Sequence, residues 1–412
     1  MPLIRPFPGL RPAPGRAADV AAPPYDVLST TEARQRALGK PWSFLHISKP
    51  EIDLPEGTNP YAPEVYAKAV ENMQRMVVEG VLRQDERHCY YAYRLSMPIA
   101  GKQHVQTGLV AAAAVKDYDS NRIRKHEFTR PDKEDDRVRQ IEALGAQTGP
   151  VLLAYPQTPA ADALLAQATA GAPTDDLLAD DGIRHQIWVI DEAALVEAIS
   201  RTFDAMPALY IADGHHRSAA ASRVAAHHHR PGGLQQSDYF LAVIFPQQEM
   251  RILDYNRVVR DLNGLTREGF LSRLKPAFQV EASATPVKPA RPGEVGMYLP
   301  GQWYRLTIDP ARIPDDPVKR LDVSLLADHL LEPVLGIHDL RRDHRIDFVG
   351  GIRGLEELER RVDRGEMAVA FAMFATRMDE LMAVADAGEV MPPKSTWFEP
   401  KLADGLVSHL IG

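Results

Sequence analysis

Ala208-Leu-Tyr-Ile-Ala-Asp213-Gly214-His215-His216-Arg217-Ser218-Ala-Ala-Ala221 is the stretch that decides the fold. Its apolar, β-prone opening predicts a strand, Asp213-Gly214 predicts a tight turn, and the alanine run predicts a helix. Strand, turn and helix in that order present backbone N–H groups and a helix N-terminus to an anion, usually phosphate. Gly214 lets the chain turn sharply or approach a ligand closely. As a phosphate or nucleotide cradle, the turn offers N–H groups around Gly214 and Ser218, charge from Arg217 and hydrogen bonds from His215 and His216. Asp213 could hold Mg²⁺ or orient a histidine. The competing reading is a structural turn with a polar cap.

Outward from this turn, strands and helices alternate irregularly. Ala22-Pro-Pro-Tyr-Asp-Val-Leu-Ser29 is extended and turn-prone, and Ser29-Thr-Thr-Glu32 fits a capping box opening a short helix. Tyr66, Val70, Met73 and Val77 recur at helical spacing, with Gly80 as the stop. Cys89–Ser96 and Thr107–Val115 read as a hairpin, and Tyr239–Phe245 with Met250–Leu253 as a second one. Short strands are expected at Val151–Tyr155, Ile187–Ile190 and Val369–Phe374. Frequent hairpins favour an α+β fold with a mixed sheet over a doubly wound parallel one. A soft boundary near residue 262 divides a nucleotide-binding and catalytic region, 1–262, from a C-terminal α+β region, 263–412, that closes on it.

The 412 residues are 45% hydrophobic and 25% charged, the profile of a chain with a packed core. A net charge of -8 gives no general attraction to nucleic acid or an acidic membrane. One cysteine, Cys89, excludes an intrachain disulfide and a cysteine-based metal cluster. The N-terminus lacks the apolar core of a signal peptide and no run is long enough to span a bilayer, so the cytoplasm is the expected compartment.

Three further clusters carry polar chemistry. Arg124-Lys125-His126-Glu127-Phe128-Thr129-Arg130 offers Glu127 as a general base, with Arg124, Lys125 and Arg130 for a phosphate or substrate carboxylate. It reads equally as a solvated charged face. His227-His228-His229 points three ways from a helix end, which suits the helix dipole better than a shared metal. Met391-Pro-Pro-Lys394-Ser395-Thr396-Trp-Phe-Glu-Pro400-Lys401 suits an ordered loop closing on phosphate, or a tail that packs Trp397 and Phe398. Gly350-Gly-Ile-Arg-Gly354 lacks the phosphate-loop Lys-Ser/Thr and reads as structural.

Over nearly its whole length the chain resembles the bacterial domain-of-unknown-function-1015 family, assigned to the ParB/sulfiredoxin-like superfamily. The resemblance rests on Ala22–Ser29, His126-Glu127, Ala212–Arg217, Met391–Thr396 and Pro400-Lys401. It implies a ParB/sulfiredoxin-like nucleotide-binding core plus additional α/β elements. The Asp-Gly-His-His-Arg turn is similar to the nucleotide-phosphate loop of free-serine kinases, which make O-phosphoserine from L-serine and a nucleotide with Mg²⁺. By that resemblance Glu127 is the base beside His126, and Asp213, His215, His216 and Arg217 contact ATP or ADP. Lys394 and Ser395, with Thr396, would close over the site. The stretch between His126-Glu127 and the turn is longer than in the compact kinases. No cysteine stands in the turn, against sulfiredoxin chemistry, and no helix-turn-helix is evident, against ParB. The expected function is a kinase of a small hydroxyl amino acid. A non-catalytic nucleotide-binding regulator is the alternative, followed by a histidine-metal hydrolase.

Overall fold

The wholly buried half of the long strand Lys102–Ala114, from Gly108 to Ala114, holds the first sheet together. Tyr90–Ile99 pairs antiparallel along one edge of it, and Tyr239–Pro246, buried at every position, along the other. The structure, a computed structural model, describes residues 1–99, 101–230 and 233–412. These form two compact units, Met1–Met250 with Pro400–Gly412, and Arg251–Glu399. The expected boundary near residue 262 falls inside the second unit.

In the first unit a nine-stranded mixed sheet runs in the order Ile123–Arg124, Leu209–Asp213, Val151–Tyr155, Tyr239–Pro246, Lys102–Ala114, Tyr90–Ile99, Arg184–Ile190, Asp175–Leu178. Ile4–Arg5 adds to Lys102–Ala114 beyond the end of Tyr90–Ile99. Parallel pairs (Leu209–Asp213 with Ile123–Arg124, Tyr239–Pro246 with Val151–Tyr155) sit among antiparallel ones. This is the α+β, mixed-sheet class expected from the sequence. Tyr239–Phe245 does not form a hairpin with Met250–Leu253. An all-apolar strand is stable with a neighbour on both edges, and this one takes Val151–Tyr155 and Lys102–Ala114, while Arg251–Leu253 pairs with Trp397–Glu399 in the second unit.

The helix His215–His228 is alanine-rich because it is packed on two sides. Ala219, Ala221 and Ala225 join the sheet's main core. Ala220 and Val224 meet Val138 and Ile141 of the helix Pro131–Leu144, with Ile411. Small side chains allow both approaches. The Ser29/Glu32 capping box is present on the helix Thr30–Ala37.

The second unit is built on a six-stranded antiparallel sheet, in the order Phe278–Ser283, Gln302–Ile308, Glu294–Leu299, Val369–Met373, Tyr255–Val259, Ile346–Gly350. Among the described residues no helix is long and apolar enough to cross a membrane.

Candidate functional site

The strand Leu209–Asp213 ends on an irregularity. Its register against Val151–Tyr155 shifts between Ile211 and Asp213, so Ala212 bulges and Asp213 is re-aimed. Gly214 follows at φ 96°, ψ 27°. A Cβ there would lie 3.3 Å from the Arg217 guanidinium carbon and from Val151 Cα, so glycine serves both the left-handed turn and the close approach. The N–H groups of Arg217 and Ser218 close on the Gly214 carbonyl at 2.9 and 3.1 Å. No side chain among the described residues caps this helix start.

Three carboxylates surround the Arg217 side chain. It donates to the Pro150 carbonyl and pairs with Asp26 at 3.5 Å. Asp213 and Asp404 also act on its charge and help keep it firmly protonated despite burial. Nearby, Arg137 stacks 3.9 Å over the Tyr25 ring and pairs with Asp136, which accepts from the Tyr66 hydroxyl at 2.8 Å. Tyr25, Arg137, Gln147, Gly149, Arg217 and Asp404 line a cleft. Asp213 takes the Lys401 ammonium at 3.2 Å. Burial alone would raise its carboxyl, but Lys401 and Arg217 outweigh that and hold it well below the usual range.

His126-Glu127 comes to this turn from 89 residues upstream of His215. The His126 N–H donates to His215 Nε2 at 3.4 Å, and the two rings meet edge to face with centroids 4.4 Å apart. His215 Nδ1 faces Glu127 Oε2 at 3.8 Å. Burial pushes the His126 imidazole down to about 4 and, with His126 beside it, His215 well below its ordinary value. Both rings are therefore neutral at pH 7. Glu127 keeps 48% of its side chain exposed, so a solute can reach the carboxylate.

Other expected residues are engaged elsewhere. His216 Nε2 accepts from the Arg130 N–H at 3.0 Å and pins the loop that carries Glu127. Ser218 is buried and bonds the His215 carbonyl at 3.0 Å, which closes the helix's first turn. Arg124 lies 5.5 Å over the Tyr210 ring, Lys125 4.0 Å over Tyr118, and Arg130 pairs with Asp132 at 2.8 Å. Lys394, Ser395 and Thr396 belong to the second unit. There the Lys394 carbonyl accepts from Arg257 at 3.0 Å, and the buried Ser395 hydroxyl bonds the Pro392 carbonyl at 2.6 Å. His227 pairs with Glu142 at 2.8 Å.

The site also contains residues outside the expected set: Tyr25, Asp26, Arg137, Lys401 and Asp404. Their faint sequence signals are the double proline before Tyr25-Asp26 and the proline before Lys401. Asp404 had none.

The family model described as "Protein of unknown function (DUF1015)" matches residues 4–324. No curated protein matches. The solved structures similar at low identity include the following three. A free serine kinase variant in complex with AMP is 13% identical, with 73% of this chain and 92% of that chain covered and a TM-score of 0.36. A conserved hypothetical protein from Pyrococcus furiosus is 14% identical, with 73% and 94% covered and a TM-score of 0.35. SbnI with a C-terminal truncation, from Staphylococcus aureus, is 11% identical, with 72% and 86% covered and a TM-score of 0.38.

Proposed function

We propose, from the premise that the chain belongs to the DUF1015 family and carries this site in its first unit, that it is a nucleotide-dependent phosphotransferase. Its acceptor is a small hydroxyl amino acid, with serine favoured by the motif resemblance. The observation that carries the reading is the arrival of Glu127 at the phosphate-type turn, 3.8 Å from His215, across a long intervening stretch.

Phosphoryl transfer asks mainly for positioning and charge stabilisation. The N–H groups at the start of the helix His215–His228, with Arg217, hold the nucleotide phosphates. Glu127 takes the proton of the acceptor hydroxyl as its oxygen bonds to the terminal phosphorus and the bond to the nucleotide's bridging oxygen breaks. Neutral His215 orients the Glu127 carboxylate without holding it as a tight ion pair. Lys401 and Arg217 keep Asp213 ionised. Mg²⁺ takes one or two carboxylates together with phosphate oxygens, and Asp213, ionised beside Lys401, would hold an ion that arrives with the nucleotide. Such an ion neutralises phosphate charge. The coarser part of the reading, nucleotide binding, is shared with the regulator alternative, so the test separates binding from turnover.

Untagged protein with Mg²⁺, ATP or ADP, and a pool of hydroxyl amino acids is followed by phosphorus NMR. A new phosphomonoester that requires serine is expected. Glu127→Gln should lower turnover by about 10²–10⁴-fold, the contribution of a general base, and leave nucleotide affinity unchanged. Undiminished turnover in Glu127→Gln removes the glutamate from the mechanism, and binding without product transfers the site to a regulator.

A further inference from the structure

Phosphoryl transfer leaves one atom of the site without a task. His126 is 2% exposed, and its ring bonds the Ile211 backbone as a donor. A neutral imidazole that donates through one nitrogen offers a lone pair on the other. That other nitrogen, Nδ1, is buried with no hydrogen-bond partner among the described residues. Leaving a buried acceptor unmatched is unfavourable. In the same cluster, one nitrogen of His126, one nitrogen of His215 and one oxygen of Glu127 all lie within 4.8 Å of one another.

We infer that His126, Glu127 and His215 form a binding site for a divalent transition-metal ion of the zinc class. Two imidazoles and one carboxylate with an open fourth position suit zinc, whereas Mg²⁺ prefers a shell of oxygens. The Ile211 contact holds the His126 ring in orientation, as outer-shell partners of metal-bound histidines do. Asp213 adds negative charge near both rings.

One contact is lost on binding. If His215 ligates through Nε2, the lone pair that accepts the His126 N–H is taken. If it ligates through Nδ1, Nε2 carries the proton and cannot accept. Either way the 3.4 Å bond goes, and it is a long, weak one. Ligand atoms about 2.0–2.1 Å from one tetrahedral zinc stand roughly 3.4 Å apart. The trio must therefore draw in, and the half-exposed Glu127 is the member able to move. A metal on one Glu127 oxygen draws charge from the whole carboxylate and weakens it as the base for the acceptor proton, so zinc and phosphoryl transfer exclude each other. That consequence rests on the proposed function; the binding does not.

The test uses untagged, chelator-stripped full-length chain with His227, His228 and His229 changed to alanine, because that half-exposed run can bind metal by itself. Zn²⁺ is titrated against a chromophoric chelator, and Co²⁺ is followed by its visible absorption. One saturating equivalent is expected, with the intense cobalt band of a four- or five-coordinate site. Glu127→Ala should weaken it by at least about 10-fold, and His215→Ala should abolish it. Glu127 lies on an exposed loop, so its variant decides the matter if buried His215→Ala fails to fold. No saturable equivalent in this background, or Glu127→Ala binding as the parent does, overturns the site. Loss of phosphomonoester formation at one zinc equivalent supports the exclusion. Full turnover with zinc bound refutes the exclusion, and a chain without turnover refutes only the phosphotransferase, because cobalt and chelator readings still decide the metal site.

Discussion

Asp404→Asn should stabilise the protein above neutral pH. Asp404 is 2% exposed and faces Arg217, Asp26 and Arg137. Burial outweighs the two guanidinium groups, and the carboxyl is pushed up from 3.8 to about 7. A raised folded-state value favours the protonated side chain in the fold. Its contribution is fully present below the unfolded value, near 4, and is lost progressively as pH rises to 7. About three pH units at about 1.36 kcal/mol each give a penalty of roughly 4 kcal/mol for the ionised, buried carboxylate. Asparagine keeps the shape of the protonated acid and never ionises. Urea midpoints from pH 4 to 8, at constant denaturant slope, should show the variant and parent within about 1 kcal/mol of each other at pH 4 and the variant ahead by up to about 4 kcal/mol at pH 8. A variant less stable than the parent at pH 8 would mean that Asp404 serves as Arg217's ionised partner, and the burial argument would be refuted. The same titration should reach the ligand. Protonated Asp404 no longer neutralises Arg217, so affinity for sulfate, whose own charge is constant in this range, should rise in the parent as pH falls through 7 and stay flat in the variant.

Lys401→Ala removes the ammonium 3.2 Å from Asp213. The two side chains are 23% and 36% exposed, so solvent screens the pair and the loss at pH 7 should be about 1–2 kcal/mol rather than the larger figure for a buried pair. The depressed Asp213 carboxyl contributes stability above its unfolded value that is lost as pH falls, so the deficit should shrink below about pH 4; a pH-independent deficit would place the lysine's role elsewhere. Gly405→Ala puts a Cβ 2.6 Å from the Phe44 ring at φ +89°, and Phe44, 1% exposed, has no room to yield. Left-handed strain of about 1–2 kcal/mol plus overpacking of about 1–3 kcal/mol should destabilise by roughly 2–5 kcal/mol. Gly15→Ala, at φ +80° with nothing within 4 Å, should show the strain alone, and equal unfolding midpoints for the two variants would dismiss the crowding.

What the sequence revealed was mostly local. The Leu209–His228 strand-turn-helix, the Ser29/Glu32 box and the Tyr90–Ala114 hairpin each depend on neighbours within a few residues. Tyr239–Pro246 misled because its partners are remote, and an all-apolar run carries no record of which strands flank it. The site divides in the same way. Asp213, Gly214, His215 and Arg217 were visible as one dense turn, and His126-Glu127 does come to it. Charge along Arg124–Arg130 was visible, but not that Tyr210, Tyr118 and Asp132 take up its cations. Tyr25 and Lys401 stood in motifs that carried the family resemblance, but neither they nor Arg137 and Asp404 were given a place at the turn, because these residues meet only through the tertiary fold.

Met250 and Pro400 bracket the whole second unit, and Pro400–Gly412 returns to pair with the beginning of the chain: Ala22 with Asp404, Leu10 with Ser408. During synthesis the first unit waits. Until the ribosome has released residues 400–412, Asp213 lacks Lys401, the strand Ala146–Gln147 lacks His409–Leu410, and the cleft lacks its Asp404 wall. Folding of the first unit thus finishes only after the whole inserted unit has been made, with a high contact order that slows it and extends the time its sheet is exposed to misassociation. A ribosome that stalls anywhere in the inserted unit leaves a chain that has the Asp-Gly-His-His-Arg turn but not the Lys401 and Asp404 charges around it.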